Sequence, residues 1–123
     1  MVQAAAACIA APRATWYAPP MAWIYLVVAG LLEVVWAFAM KQSDGFTRPV
    51  ASAITILTMI ASFALLSFAM RSLPLGTAYT VWTGIGAVGA FLVGVTILAE
   101  PVTFLRVTAA VLIVTGLVLM KLA

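Results

Sequence analysis

Four apolar stretches of about 20 residues, separated only by short polar breaks, dictate what this chain can fold into. They run from about Ala22 to Met40, Val50 to Met70, Gly76 to Ala99 and Val102 to Leu122. Each makes a helix of roughly 30 Å, the thickness of a bilayer's hydrocarbon core. An open strand leaves its backbone unpaired in lipid, so helices are the expected solution. The first stretch carries one charge, Glu33, and the second and third carry none. Composition agrees: only 7% of the 123 residues are charged and 67% are apolar, where soluble domains carry about 25% charged residues. The expected fold class is all-α, an integral membrane protein of four short transmembrane helices.

The same composition excludes much chemistry. The net charge of +3 is scattered, with no Lys/Arg run, so no nucleic-acid partner is expected. Cys8 is alone, which rules out an intrachain disulfide, and no Cys/His cluster offers a metal site. Without histidine, neither a Ser-His nor a Cys-His triad can form. No cofactor and no enzymatic activity are expected. The breaks Lys41–Gly45, Arg71–Pro74 and Glu100–Pro101 are too short for a soluble domain, so the chain must act within the bilayer. Gly45 suits a helix stop, and Glu100-Pro101 reads as a very tight connection.

Residues 1–20 differ in kind. They are Ala-rich, end in Ala18-Pro19-Pro20, and carry their one charge, Arg13, after the apolar run. A signal peptide has its positive charge first. The segment reads as a disordered extension or as a mis-assigned start with Met21 the true one. Residues 21–123 are expected to form one four-helix transmembrane domain.

An even number of spans puts both ends on one side of the membrane. That side collects Arg13, Arg71 and Lys121, and the other collects Lys41, Arg48 and Arg106. Starting at Met21 removes Arg13 from the tally. Orientation follows Lys/Arg asymmetry, and here there is almost none. Either the chain inserts both ways round, which permits an antiparallel homodimer, or other interactions fix one orientation. Four short helices barely enclose a solute cavity, so a polar path between two subunits is the more economical arrangement. An antiparallel pair also supplies the inverted symmetry on which many transporters build alternating access.

Glu33 lies about 12 residues into the first stretch, roughly 18 Å of rise and near the bilayer midplane. An ionised carboxylate there costs at least about 2.5 kcal/mol. It escapes by taking a proton or by binding a cation. A group that chooses between the two is an exchange site; a protonated Glu that only hydrogen-bonds between helices is the alternative. Gly30, Trp36 and Ala37 share its helical face, the small residues leaving room and Trp36 offering a cation–π surface. On the third stretch Tyr79, Trp82 and Thr83 share a face, read as pocket lining or as interfacial aromatics. On the second, Thr55, Thr58 and Ser62 form a polar stripe whose hydroxyls bond either their own helix or a ligand.

Gly84-Ile85-Gly86-Ala87-Val88-Gly89 fits GxGxxG, but it lies inside an apolar span rather than after a strand. The nucleotide reading is rejected. Gly84, Gly86 and Gly89 read instead as a soft point for bending or as close packing, and Gly86, Ala90 and Gly94 form a small-residue stripe. The fourth stretch reads as a packing or dimerisation helix.

The run from Gly30 to Ala37 resembles the first helix of the small multidrug resistance family, and the run from Leu73 to Gly89 resembles its third-helix signature. The resemblance covers Met21 to the end. Trp36 beside the acid, with Trp82-Thr83-Gly84, looks like the guanidinium exporter subtype; the quaternary-ammonium subtype usually has a small residue where Trp36 stands. The resemblance implies an antiparallel homodimer in a bacterial inner membrane that exchanges guanidinium for protons. It implies that Glu33 binds both, that Trp36, Ser62, Tyr79 and Trp82 line the site, that Gly30 makes space, and that Ser62 hydrogen-bonds Glu33. A polyspecific exporter of quaternary ammonium drugs shares these features. A non-transporting partner subunit or structural membrane protein is the reading from another class.

Overall fold

The computed structural model describes residues 20–122, so the reading of the N-terminal extension as disordered or mis-assigned concerns residues that lie outside the described ones, Pro20 excepted. The described residues form four helices and no strand: α1 (Pro20–Gln42), α2 (Pro49–Ala69), α3 (Leu75–Thr96) and α4 (Phe104–Leu122). All four are long and apolar enough to cross a membrane.

The turns have local causes. Ser43 is fully buried, donates its hydroxyl to Met40 O at 2.6 Å and accepts Phe46 N–H at 3.1 Å. Asp44, Gly45 and Phe46 then take left-handed φ values of 50°, 72° and 65°. Gly45 does so at no steric cost. Pro49 opens α2 at a position whose N–H has no helical partner anyway.

The third connection departs from the reading of Glu100-Pro101 as a very tight link. α3 ends at Thr96 and α4 starts at Phe104, so residues 97–103 lie between them. Ala99 turns left-handed at φ 55°, and the Glu100 N–H reaches back to Gly94 O at 2.9 Å. Pro101 has no N–H to continue a helix, and Thr103 Oγ1 restarts it by accepting the Arg106 N–H at 3.2 Å.

α1 is the hub. It packs along α2 and α3, while α2 and α3 meet at few points and α4 leans chiefly on α3. Ala22, Leu26 and Ala29 on one face of α1 meet Leu66 and Ala69 of α2, Leu73, and Ala78, Val81 and Trp82 of α3. This core fills the half of the bundle nearest the chain ends. At that end Lys121 Nζ lies 5.4 Å over the Trp23 ring, which ties the start of α1 to the end of α4. No residue of α4 is buried; Phe104 and Leu105 are 84% and 78% exposed. Apolar groups on that face suit a lipid or protein neighbour.

Candidate functional site

Glu33 sits on α1 just past the packed core, four residues after the fully buried Ala29. Its carboxyl lies directly against Gly86 of α3, where any β-carbon would occupy the same space. Its Oε2 is buried and has no hydrogen-bond partner among the described residues. One turn on, Trp36 Nε1 is likewise buried and unpartnered. Both atoms are shielded without a partner among the described residues, which makes this turn of α1 the candidate place for a polar ligand.

Ser62 is fully buried, but the structure corrects the expectation that it hydrogen-bonds Glu33. Its hydroxyl donates to Ala29 O at 2.6 Å and accepts Trp82 Nε1–H at 3.0 Å. The carbonyl is the nearer acceptor in this arrangement, so Ser62 joins α1, α2 and α3 at one point. Trp82, 6% exposed, therefore spends its N–H on Ser62. Thr55 and Thr58 bond back to Ala51 O and Ile54 O on their own helix, so only Ser62 of that stripe reaches across. Replacing Ser62 by alanine strands the indole N–H, at a cost of about 1–3 kcal/mol. We expect a lower unfolding midpoint for Ser62→Ala in detergent; an unchanged midpoint would mean that the junction contributes nothing.

The aromatics form one continuous run. Trp36 and Phe63 are 6.4 Å apart between ring centres, Phe63 and Trp82 5.7 Å, and Trp82 and Tyr79 5.6 Å. Tyr79 ends this run and is 53% exposed, facing outward from the single chain. Phe63 was not anticipated from the sequence. One phenylalanine in an apolar helix carries no signal of its own; its position next to Ser62 was the available clue.

The glycines are seats. A β-carbon at Gly84 would strike Leu117 of α4, and one at Gly89 would strike Val34 of α1. With Gly86 under Glu33, all three admit a neighbour's side chain, and α3 runs unbroken through them. Gly30 gives its space to Ile85, 2.7 Å from where a β-carbon would stand, rather than to the carboxylate.

No group of three or more metal-ligating side chains occurs among the described residues. The family model described as Small Multidrug Resistance protein matches residues 21–114. The chain belongs to the small multidrug resistance family. Among its relatives in this family, a guanidinium exporter of Escherichia coli (strain K12) is 54% identical over 103 residues, which is 84% of this chain and 98% of the relative. Guanidinium exporters of Citrobacter freundii and Salmonella typhimurium are 55% identical with the same coverage. As a member of the small multidrug resistance family, the chain is a multi-pass membrane transporter and not an enzyme.

Proposed function

We propose that this chain exports guanidinium across a bacterial inner membrane in exchange for protons, acting as an antiparallel homodimer. The observation that carries the proposal is the unpartnered Glu33 oxygen, buried against Gly86 beside the unpartnered Trp36 N–H. Glu33 is also the one acid inside the four helices. The names of the relatives support guanidinium as the cargo.

Guanidinium is planar and presents its N–H groups as forks, which a carboxylate accepts two at a time. Trp36, Phe63, Trp82 and Tyr79 supply faces along which a flat cation slides and is held by the ring quadrupole. Two subunits in opposite orientations bring two such carboxylates to one cavity. A proton arriving at Glu33 removes the charge that holds guanidinium, and a guanidinium arriving displaces the proton. The two therefore cannot share a carboxylate, and moving one way requires the other to move back.

The test is proton flux from liposomes reconstituted with the purified chain, with guanidinium added on one side. Flux that depends on guanidinium supports the proposal. Flux with a quaternary ammonium ion alone would make the chain a drug exporter. Flux with neither would point to an unequal partner subunit or a structural role.

Trp36 sets the width of the site in this reading. Trp36→Gly removes a large wall and opens space beside Glu33, so tetramethylammonium-driven proton flux should appear or rise severalfold. An unchanged substrate range would remove Trp36 from its proposed role.

A further inference from the structure

Glu100 closes the other end of the small-residue stripe on α3. Its carboxylate lies over Gly94, with Oε2 2.7 Å from where a β-carbon would stand, as the Glu33 carboxylate lies over Gly86. The two glycines are eight residues apart, roughly 12 Å of helix. A crevice of about 180 Å³ opens between α1 and α3 here, lined by Ala37, Lys41, Ala90, Gly94 and Glu100 among others. Val34, the residue after Glu33, also lines it.

Glu100 already pairs with a guanidinium group, that of Arg106. Its Nη1 donates to Pro101 O at 2.8 Å, and its Nη2 lies 3.8 Å from Glu100 Oε2. Both side chains are about two-fifths exposed, 43% and 42%. Exposed ion pairs of this kind hold weakly and exchange readily. A carbonyl and a carboxylate side by side match the planar N–H edges of one guanidinium ion, tethered or free.

We propose that Glu100 and the Pro101 carbonyl form a second, peripheral guanidinium site, in which the Arg106 side chain is a tethered occupant that free guanidinium displaces. The inference rests on guanidinium being the cargo. The site holds the cation at the end of α3, beside the crevice that Val34 also lines, and Arg106 refills it when the cargo moves on.

The experiment is a guanidinium chloride titration of the full chain in detergent micelles, read by the arginine side-chain Nε–Hε resonances. Arg106→Lys identifies the Arg106 signal, and sodium chloride at equal ionic strength is the control. The expected result is a saturable shift of Arg106 that persists in Glu33→Gln and Glu100→Asp and is lost in Glu100→Gln. Retention in the aspartate variant separates loss of charge from misfolding. No saturable shift, the same shift with sodium, or a shift that survives in Glu100→Gln would overturn the site. Liposome flux from the same preparation keeps the two ideas apart. Guanidinium exchange without an Arg106 response defeats the peripheral site alone; an Arg106 response without exchange defeats the transport reading and leaves the site standing.

Discussion

Guanidinium-coupled proton flux is expected to fall to the level of protein-free vesicles when Glu33 is replaced by glutamine. Glutamine has the shape of glutamate, so it still fits over Gly86 and the packing around it is kept. It loses both things the proposed exchange needs. It has no negative charge to hold guanidinium, and it neither takes up nor releases a proton in the working pH range. Each hydrogen bond to a charged partner contributes about 1.5–3 kcal/mol, and a forked pair has two. The loss of affinity is therefore on the order of a hundredfold or more, since about 1.4 kcal/mol is tenfold. Flux abolished in Glu33→Gln, with wild-type yield and unfolding midpoint, is the expected outcome. Exchange surviving in that variant would sink the mechanism.

Gly86→Ala is the second large effect, and it tests geometry rather than charge. The added methyl group would coincide with the Glu33 carboxyl, so either the acid or α3 must move. Overpacking of this kind costs about 1–3 kcal/mol, enough to weaken guanidinium exchange about fivefold to a hundredfold. Gly76→Ala is the matched control. It lies on the same helix with nothing within 4 Å of the new atom. There the better helix former should be neutral or slightly stabilising. Equal exchange rates for Gly86→Ala and Gly76→Ala would mean that the carboxylate is not seated against α3 in the working protein.

Much of this was legible in the sequence, because lipid leaves a chain few choices. The four helices follow from four apolar stretches, and the midplane position of Glu33 follows from counting along the first. Trp36 and Trp82 stood out because their residue types are informative at those spacings. What remained hidden depends on which helix faces which. The glycines of α3 read equally well as hinges or as packing until the structure put Leu117, Glu33 and Val34 against them. The bond of Ser62 to Ala29 O joins residues 33 positions apart, and no periodicity within one helix reveals it. The end of α3 was misjudged by three residues for a local reason. Ile97 and Leu98 are apolar enough to extend a helix, yet Ala99 turns left-handed and closes it at Thr96.

If the proposed site is the working one, Phe63 offers this architecture a way to change its cargo without rebuilding itself. Trp82 is committed to Ser62 by its N–H, and the glycines of α3 are committed to the side chains they receive. Phe63 has no polar atom to satisfy and is nearly half exposed in the single chain, yet it stands between Trp36 and Trp82 in the aromatic run. A change there redraws the wall of the site and leaves its supports untouched. In the proposed site Phe63 is therefore a second position, besides Trp36, where a change of size costs no hydrogen bond.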